Sequence, residues 1–432
     1  MLQHPVLERA AMFGVKLGLE RMRQFLSLLD EPHLVAPVVH VAGTNGKGSV
    51  CAMVTAILME AGYRVGTTMS PHVEALNERI LIDGVPIDDA SLGEALDHIA
   101  RTRDQLAIDA GLEDAVLTYF ELVTAAAFYV FARRQVDVQV IEVGLGGRLD
   151  ATNVVRPICA VITHLGLDHM AQLGPDIASI AGEKAGIIKS SVPVVTGPLP
   201  PEGRAVVEAV AKRLKCPLWA PPALRREARR DGRLILTSPE GSVGPVHIGL
   251  KGAHQASNAM VAVGVAHQLR RQGFVIDTAA IQRGLERAWL PGRIEELRPG
   301  LIADGAHNPD GARVLARYLE ANTEPGGRIL LVGMGSQRDP VAFVEPLAGL
   351  FDEIVTTQGR HPRARNPEAL AHALEGVHPV IAVGGPIEEA LPDVLADAKL
   401  TVVTGSLFVA GAARALVRTG ELDRTDDPGA SV

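Results

Sequence analysis

The sequence has few cysteines and no long hydrophobic run. Its three cysteines, Cys51, Cys159 and Cys216, show no C-x-x-C spacing and lie in apolar or proline-flanked stretches. This usage argues against a disulfide framework and favours buried, reduced thiols in a cytoplasmic protein. No apolar run reaches the roughly 20 residues that span a membrane, and Glu8 and Arg9 lie where a signal peptide needs an unbroken apolar core. We therefore expect the protein in the cytoplasm.

The sequence also lacks a surplus of positive charge. Its 42 Lys and Arg residues stand against 50 Asp and Glu residues, which gives a net charge of −8. This balance argues against nucleic acid or an anionic membrane as the main partner. One basic stretch, residues 225–233, contains five arginines, but Glu227 and Asp231 interrupt it and no aromatic residue lies within it. We interpret it as a solvated loop or hairpin.

What the sequence does contain near its start is a glycine-rich turn after a short apolar segment. Residues 38–49 read Val-Val-His-Val-Ala-Gly-Thr-Asn-Gly-Lys-Gly-Ser. Gly43, Gly46 and Gly48 can adopt backbone angles closed to other residues, so that successive N–H groups converge on phosphate oxygens. Lys47 adds a positive charge. The pattern predicts a phosphate-binding loop between a strand and a helix, in preference to an ordinary glycine-rich turn.

The segment after this loop is predicted to be a buried helix. Residues Ser49–Ala61 are apolar on nearly every face and are followed by Gly62, and the N-terminus of such a helix would point at the phosphates. The loop departs from the strict G-x-x-x-x-G-K-[ST] pattern. Its first two glycines are only three residues apart, and a third glycine separates the lysine from the serine hydroxyl.

Apolar, β-rich runs alternate with helix-like stretches, a pattern typical of a parallel sheet covered on both faces. The strands predicted in the first part are Val38–Val41, Val138–Val143, Ile158–Thr163 and Val192–Thr196. The helices predicted there are Ser49–Ala61, Ala90–Gln105, Thr118–Arg134 and Ile177–Lys184. Two short antiparallel strands, at Arg233–Thr237 and Val246–Leu250, are expected to end this part.

The alternating pattern restarts near residue 301, beyond a Pro-Gly interruption at residues 291–292. Its predicted strands are Leu301–Ala303, Arg328–Val332, Glu353–Thr357, Pro379–Val383 and Leu400–Thr404. The sequence therefore predicts an α/β protein with two doubly wound domains. Residues 1–291 would form a P-loop ATPase-like domain with a parallel sheet, and residues 292–418 a smaller Rossmann-like domain. The polar residues 419–432 are expected to form a flexible tail.

Polar side chains follow several predicted strands, where ligands bind in open α/β sheets. Glu142 ends an apolar strand, His169 follows the next one, and Ser49 and Ser70 offer hydroxyls near the same edge. Oxygen ligands with one imidazole suit Mg²⁺ held beside a triphosphate, where the phosphates supply further ligands. Taken alone, Glu142 could be a solvated strand-end charge and His169 a hydrogen-bonded loop residue. Together with the phosphate loop, they favour a metal site.

The chain resembles the folylpolyglutamate synthase and dihydrofolate synthase family of the Mur ligase superfamily. The resemblance is carried by blocks that occur in the family's order: Gly43–Ser49, Ser70-Pro71-His72 with Asn77-Glu78-Arg79, Leu117–Glu121, Glu142–Asn153, Leu167-Asp168-His169, Glu183-Lys184-Ala185-Gly186, His254-Gln255 with Asn258, and Asp304–Pro309. The resemblance implies an ATP-dependent ligase of folate biosynthesis and one-carbon metabolism. It would join L-glutamate to dihydropteroate, to a folate, or to both.

The resemblance also implies site residues. The ATP-binding residues would be Gly43, Thr44, Asn45, Gly46, Lys47, Gly48, Ser49, Asn258, Arg293 and Asp304. Two Mg²⁺ ions would be held by Ser49, Ser70, Glu142, His169 and a carbamylated Lys184, and catalysis would use Lys47, Lys184 and His307. From the residues alone, Lys184 is a charge in a helix's last turn that complements the helix dipole. A lysine with a lowered pKa can, however, add carbon dioxide and become an anionic ligand.

For the acceptor, the resemblance implies a pocket formed by Leu17, Gly18, Thr118, Tyr119, Phe120, Glu121, Leu149, Asp150 and Ala151. Phe120 could stack on a pterin or belong to the core. Ser406 would lie near another part of the substrate. Asn308, in the Asp304–Pro309 block, or Asp310 directly after it could cap a helix. Residues Val73–Leu76 replace a stretch that is more basic in some relatives, which leaves the preference between dihydropteroate and folates open.

The expected mechanism is attack of the acceptor carboxylate on the γ-phosphate of ATP, followed by attack of glutamate's amine on the acyl phosphate. We weighed two alternatives. A P-loop switch protein would leave the blocks around Glu142, His169 and Asp304 unexplained. A cell-wall Mur ligase shares the chemistry, but only about forty residues precede the phosphate loop, too few for a typical domain that binds a UDP-sugar. We expect a monomer whose partners are ATP, L-glutamate and a pteroate or folate.

Overall fold

The computed structural model describes residues 4–11, 16–110, 117–221 and 225–422. These residues form two compact units. Unit 1 comprises Met1–Pro71, Ala75–Gly249 and Gln255–Trp289, and unit 2 comprises His72–Glu74, Leu250–His254 and Leu290–Val432. The predicted tail lies, from residue 423 onwards, outside the described residues. Among the helices that are described, none is long and apolar enough to cross a membrane.

Unit 1 is built on an eight-stranded sheet. Its strands are β1 (Val38–Ala42), β2 (Val65–Thr68), β3 (Ile80–Ile82), β4 (Val85–Pro86), β5 (Val138–Glu142), β6 (Pro157–Ile162), β7 (Val194–Thr196) and β8 (Leu218–Trp219). Their order is β4-β3-β2-β5-β1-β6-β7-β8. The strands from β2 to β8 in this order run parallel, and only β3 and β4 add antiparallel pairs at one edge. The central strands β1 and β5 are buried along their whole length, as continuous apolar runs predict.

Helices cover this sheet. They are α1 (Pro5–Ala11), α2 (Glu20–Ser27), α3 (Lys47–Glu60), α4 (Asp89–Ala110), α5 (Tyr119–Arg133), α6 (Met170–Leu173), α7 (Ile177–Ala185), α8 (Pro201–Arg213), α9 (Gln255–Arg271) and α10 (Thr278–Arg287). The predicted burial of the helix after the phosphate loop is confirmed, because α9 and α10 pack against α3. A Cβ on Gly284 would lie 2.5 Å from the Ile57 Cα atom, so glycine permits the close approach of α10.

A small antiparallel sheet completes unit 1. It consists of β9 (Arg225–Ala228), β10 (Leu234–Ser238) and β11 (Gly241–Val246), in the order β11-β10-β9. The strand predicted at Val246–Leu250 is wrong, because the chain reverses directly after β10 and Ser238 pairs with Gly241. The five arginines of residues 225–233 lie on the exposed hairpin between β9 and β10, as their interpretation as a solvated hairpin requires.

Unit 2 contains a second, six-stranded sheet. Its strands are β12 (Glu295–Arg298), β13 (Leu301–Ala303), β14 (Arg328–Val332), β15 (Glu353–Gln358), β16 (Ile381–Pro386) and β17 (Leu400–Thr404), in the order β12-β13-β17-β14-β15-β16. All neighbouring pairs are parallel except β12 with β13. The helices are α11 (Pro309–Asn322), α12 (Pro340–Ala348), α13 (Pro367–Ala373), α14 (Ile387–Asp397) and α15 (Leu407–Thr419). Separate hydrophobic clusters lie on the two faces of this sheet, so the predicted α/β class with two sheets is confirmed.

Candidate active site

The phosphate loop of unit 1 connects β1 to α3. The helix begins at Lys47, two residues before the predicted start at Ser49, with Gly46 as its N-cap at φ 84°. This left-handed angle costs a glycine little. A Cβ on Gly43 would lie 1.9 Å from Thr163 Oγ1, and a Cβ on Gly46 would lie 2.7 Å from Asn258 Oδ1. Both glycines are therefore required by close contacts with the loop after β6 and with α9.

Hydrogen bonds hold the loop in this shape. Thr163 Oγ1 donates to the Asn45 carbonyl oxygen at 2.7 Å, and the Thr44 N–H donates to the His164 carbonyl oxygen at 2.6 Å. The ammonium group of Lys47 donates to the carbonyl oxygens of Gly43 and Thr44, each at 3.1 Å. Its positive charge thus lies over the loop whose N–H groups open α3, as expected for a group that binds a phosphate.

Lys184 reaches the same loop from the last turn of α7. Its side chain is 4% exposed, and its Nζ atom donates to the Gly43 carbonyl oxygen at 2.8 Å. Burial, and secondarily the positive charge of Lys47, lower the pKa of Lys184 to about 7. A surface charge that complements a helix dipole does not explain this position, because the ammonium group lies buried beside a second one. This lowered pKa favours the free amine of Lys184 over its ammonium form.

Glu142 lies at the end of β5, beside β1. Its side chain is buried, and Oε2 accepts a hydrogen bond from the Ser70 N–H at 2.9 Å. The structure therefore brings together two of the predicted metal ligands, from the ends of β5 and β2. A solvated strand-end charge is excluded by the burial of this carboxylate.

His169 is more open than Glu142. Its side chain is 46% exposed, its backbone adopts a left-handed φ of 51° as the N-cap of α6, and its Nε2 atom lies 3.8 Å from Asp168 Oδ1. Ser49 is buried, and its Oγ accepts a hydrogen bond from Gln255 Nε2 at 3.3 Å. Gln255 Oε1 in turn accepts from Asn258 Nδ2 at 2.8 Å, so α9 connects Asn258, a predicted ATP-binding residue, to Ser49, a predicted metal ligand.

No cage of protein ligands is preformed around these groups. Among the described residues, no three His, Cys, Asp or Glu side chains are grouped so that they could hold a metal ion. The predicted set contains only one carboxylate and one imidazole, together with two hydroxyls and a lysine. Such a set fits Mg²⁺, which keeps several waters and binds through few protein groups and substrate phosphates.

The predicted acceptor residues at the start of α5 contact one another or neighbouring residues of unit 1. Thr118 caps α5, and the Glu121 carboxylate accepts from the Thr118 N–H at 2.7 Å and from Arg21 Nη2 at 3.0 Å. The Arg79 guanidinium lies over the Tyr119 ring at 5.5 Å. Phe120 packs so closely on Gly144 that a Cβ there would lie 2.5 Å from the ring. Phe120 is half-buried, which is compatible both with stacking on a pterin and with packing in the core.

Asp150 organises the loop that follows β5. It is buried, and it accepts hydrogen bonds from the N–H groups of Leu145 and Thr152 at 2.8 and 3.0 Å and from Thr152 Oγ1 at 2.5 Å. Thr152 Oγ1 also lies 2.9 Å from Nε2 of the buried His40. Burial raises the pKa of Asp150, and these hydrogen bonds oppose the rise. His40 and Thr152 therefore support a predicted acceptor residue, although no sequence motif links them to it.

A small cleft of about 90 Å³ opens on this loop. Its lining consists of Leu17, Leu145, Gly146, Gly147, Arg148, Leu149, Gln172, Leu173 and Glu183. Two predicted acceptor residues, Leu17 and Leu149, line it together although they are far apart in sequence. The other predicted acceptor residues, Gly18, Thr118, Tyr119, Phe120, Glu121, Asp150 and Ala151, are not part of the lining. Arg148 and Glu183, which form an ion pair at 2.6 Å, were not predicted.

Unit 2 holds the remaining predicted residues at the carboxyl ends of its strands. The buried Asp304 accepts from the N–H groups of Ile294 and Ala306, both at 2.9 Å, and burial raises its pKa. His307 Nδ1 lies 2.9 Å from the Gly305 carbonyl oxygen. A Cβ on Gly305 would lie 3.0 Å from Arg293 Nη1, so Arg293 packs against the same turn.

Two polar residues of unit 2 cap helices. Asn308 Oδ1 accepts from the Gly311 N–H at the start of α11, and Ser406 Oγ accepts from the Phe408 N–H at the start of α15. The capping role considered for Asn308 is thus present in the structure. For Ser406 the cap was not predicted.

Comparisons with known proteins identify the family. Residues 41–266 match the family described as the Mur ligase middle domain, and residues 292–407 match the family described as Mur ligase, glutamate ligase domain. A Mycobacterium tuberculosis protein named dihydrofolate synthase/folylpolyglutamate synthase is 35% identical over 436 residues, which cover 92% of this chain and 90% of the relative. A Haloferax volcanii protein named probable bifunctional folylpolyglutamate synthase/dihydropteroate synthase is 36% identical over 93% of this chain. The chain spans about half of that relative, 48% of its length.

Solved structures agree with these relatives. Folylpolyglutamate synthase of M. tuberculosis, complexed with ADP and AMPPCP, superposes with a TM-score of 0.88 at 33% identity, covering 95% of this chain and 98% of that one. Escherichia coli FolC in complex with DHPP and ADP gives a TM-score of 0.86 at 32% identity, with 96% of both chains covered. A bifunctional folylpolyglutamate synthase/dihydrofolate synthase from Yersinia pestis, complexed with AMPPNP and Mn, gives 0.83 at 32% identity, covering 95% of this chain and 96% of that one.

Proposed function

Because the chain belongs to the folylpolyglutamate synthase/dihydrofolate synthase family of the Mur ligase superfamily, we propose that it joins L-glutamate to the carboxylate of dihydropteroate, of a folate, or of both, at the expense of ATP. The observation that carries the proposal is the glycine loop that opens α3, in which the Lys47 ammonium group approaches the Gly43 carbonyl oxygen. The N–H groups of this loop, the N-terminus of α3 and the charge of Lys47 make a site for a highly charged anion such as a triphosphate.

The proposed reaction proceeds through an acyl phosphate. The acceptor carboxylate attacks the γ-phosphate of ATP, and Lys47 neutralises charge on the transferring group. The amine of glutamate then attacks the acyl carbon, and phosphate leaves from the tetrahedral intermediate. We assign Lys47 to the phosphates because its ammonium group lies over the loop through hydrogen bonds that phosphate oxygens can replace.

The residues present fit a divalent cation. Glu142, Ser49, Ser70 and His169 would hold it, and the bound ion would neutralise the triphosphate and orient its γ-phosphate. We propose two Mg²⁺ ions, with a carbamate on Lys184 for the second one. The buried side chain of Lys184, whose pKa is lowered to about 7, favours the free amine that this modification needs. Carbon NMR with labelled bicarbonate tests the carbamate, and an unmodified Lys184 in an active, magnesium-loaded enzyme would end that part of the proposal.

We place the acceptor in unit 1, on the loop held by Asp150. The cleft beside this loop is lined mainly by apolar side chains and glycines, with Gln172 and the Arg148–Glu183 pair as polar groups. This composition suits a flat, amphipathic ring system.

Other assignments stay predictions. They are the binding of ATP by Asn258, Arg293 and Asp304, and the contacts of His307 and Ser406 with the substrates. The domain limits at residues 291 and 292 also stay predictions.

Location and assembly are also part of the proposal. The three cysteines are free, and Cys51 and Cys159 are buried, which supports a protein that works in the reducing cytoplasm. We propose a monomer that binds only small molecules.

Phosphate release tests the proposed function. Purified protein with ATP, Mg²⁺ and glutamate should release phosphate when dihydropteroate or a reduced folate is added, and the product should gain one glutamate by mass spectrometry. The acceptor that supports turnover identifies the activity. Nucleotide hydrolysis that is indifferent to both acceptors and to glutamate would instead support a nucleotide switch, and turnover with a different amino acid would support another Mur-type ligase.

A further inference from the structure

One buried amide of unit 1 has no role in the site described above. Asn153 lies in a 3₁₀ turn, Ala151–Val154, directly after the loop that follows β5. We call this loop, residues 143–150, the acceptor loop. Asn153 is only 4% exposed. Since a buried polar group without partners costs free energy, the hydrogen bonds of this side chain indicate its role.

The side chain of Asn153 bridges two segments that are distant in sequence. Its Nδ2 atom donates to the Arg148 carbonyl oxygen at 2.9 Å and to the Gly186 carbonyl oxygen at 3.2 Å. Gly186 is the C-cap of α7, and Lys184 lies in the last turn of that helix. One amide group therefore joins the acceptor loop to the end of the helix that places Lys184.

A third hydrogen bond fixes the orientation of this amide. Backbone carbonyl oxygens only accept hydrogen bonds, so the NH₂ group of Asn153 must face Arg148 and Gly186. Its Oδ1 atom then faces Lys189, whose Nζ atom donates to it at 2.7 Å. Lys189 therefore secures the orientation in which Asn153 can bridge the two segments.

The two segments that Asn153 joins are also packed closely. The Arg148 N–H donates to the Glu183 carbonyl oxygen at 2.8 Å. A Cβ on Gly186 would lie 2.4 Å from the Arg148 Cβ atom, and a Cβ on Gly147 would lie 2.8 Å from the Glu183 carbonyl oxygen. Since neither contact leaves room for a side chain, a shift of the acceptor loop would displace the last turn of α7.

The acceptor loop and the end of α7 serve different parts of the proposed reaction. Arg148 and Leu149 line the cleft in which we place the acceptor. Lys184 reaches from α7 to the Gly43 carbonyl oxygen in the phosphate loop. The acceptor carboxylate must meet the γ-phosphate in line, and a misplacement of about 1 Å can cost a rate factor of about 100. A fixed distance between the acceptor loop and α7 therefore matters for turnover.

Resting on the proposed function, we propose that Asn153, oriented by Lys189, is a positioning residue that holds the acceptor loop at a fixed distance from the end of α7, and so from Lys184. Its NH₂ group and its oxygen all have protein partners. Asn153 thus acts through the loop and the helix that it joins, and not by touching a substrate.

Hydrogen–deuterium exchange of the ligand-free protein tests this contact without catalysis. Asn153→Leu keeps the branched shape of the side chain and removes all three hydrogen bonds. Peptides that contain Arg148 and Gly186 should then exchange about tenfold faster than in wild type, because the joined segments open more often. Peptides of β1 and α3 should be unchanged.

Gln272→Leu is the matched control. The Gln272 Nε2 atom also donates to two backbone carbonyl oxygens of unit 1, those of Ile158 and Gln268, at 3.0 and 3.2 Å. Its loss removes the same kind of bridge elsewhere in the unit. Exchange in the acceptor loop and at the end of α7 should therefore stay as in wild type, and so should the kinetic constants.

Steady-state kinetics separate positioning from a purely structural role. Asn153→Leu should lower kcat by about 10- to 100-fold and raise KM for the acceptor, because the two segments lose their fixed distance. The dissociation constant of ATP, measured without acceptor and metal, should stay within about twofold. Lys189→Met should cause a smaller change of the same kind, and Lys189→Arg, which can still donate to Oδ1, should stay near wild type. Asn153→Asp keeps the partner of Lys189 but not the two donors, and decides the test if Asn153→Leu does not fold.

Three outcomes would overturn the proposal. Unchanged exchange at Arg148 in the folded Asn153 variants would show that the amide does not hold the acceptor loop. A lower free energy of unfolding with unchanged kcat and acceptor KM would leave Asn153 a purely structural residue. A comparable rise in the dissociation constant of ATP would show a general distortion of unit 1. Failure of the proposed function is distinguishable from these, because wild type would then not consume glutamate, whereas the exchange result would still stand.

Discussion

Replacing Lys184 by methionine should stabilise unit 1 below about pH 7 while it abolishes ligation. Lys184 is 4% exposed, and burial and the charge of Lys47 lower its pKa from 10.5 to about 7. Each pKa unit corresponds to about 1.4 kcal/mol. Holding the ammonium form in the folded protein therefore costs roughly 5 kcal/mol, which methionine removes at the loss of one hydrogen bond worth about 1 kcal/mol.

The sign of the pH dependence follows from proton binding. Between about pH 7 and pH 10.5, the unfolded chain holds a proton on Lys184 that the folded chain has released, so wild-type stability rises with pH. The destabilisation caused by the buried ammonium group is fully present below pH 7 and decreases as the pH rises above 7. The difference in unfolding free energy between wild type and Lys184→Met should therefore shift in favour of wild type by about 1.4 kcal/mol for each pH unit in this window.

Urea unfolding followed by tryptophan fluorescence measures this difference. Both tryptophans, Trp219 and Trp289, belong to unit 1, so the signal reports the unit that contains Lys184. Buffers must be free of carbon dioxide, nucleotide and magnesium, so that the amine is unmodified. Lys212→Met, on the exposed face of α8, is the matched control and should show a constant difference. A Lys184→Met difference that stays constant from pH 7 to pH 9 would refute the reasoning.

Four further substitutions test the site. Lys47→Ala should leave the fold intact and lower turnover by about 10²- to 10³-fold, since a charge on the transferring phosphate is lost; near-normal turnover by the folded variant would remove Lys47 from the site. Glu142→Ala and His169→Ala should each raise the Mg²⁺ concentration for half-maximal activity, and an unchanged magnesium titration in both would return them to structural roles. Thr152→Val removes the hydroxyl between His40 and Asp150, and should lower stability by about 1–3 kcal/mol and raise KM for the acceptor but not for ATP. Equal changes in both KM values would show that the effect is not local to the acceptor.

The phosphate loop could be predicted from sequence because all its determinants are local. A buried strand, three glycines and a lysine lie within twelve consecutive positions, and the structure places them between β1 and α3 as expected. The predicted helix start was two residues late because Gly46 is itself the N-cap. The strand predicted at Val246–Leu250 was also placed too late in the sequence. A tight turn after Ser238 lets the partner strand β11 begin at Gly241.

The side-chain contacts that hold the site residues in place could not be predicted, because they join distant parts of the chain. Arg21 contacts Glu121 across 100 residues, and His40 contacts Thr152 across 112. In unit 2, the Glu74 carboxylate pairs with Arg414 and Arg418, more than 300 residues later. No periodicity or motif encodes such pairs, since each depends on which strand ends and helices the fold brings side by side.

Lys184 shows most clearly where local patterns mislead. By position it is a basic residue in the last turn of a helix, and for such residues the dipole-complementing surface role is the expected one. The structure instead buries it against Gly43, 141 residues away. Burying this amine lowers the free energy of unfolding. An apolar side chain at the same position, as in Lys184→Met, should remove that loss. The burial of this destabilising amine beside the phosphate loop is the strongest physical reason for our proposal that Lys184 serves the reaction.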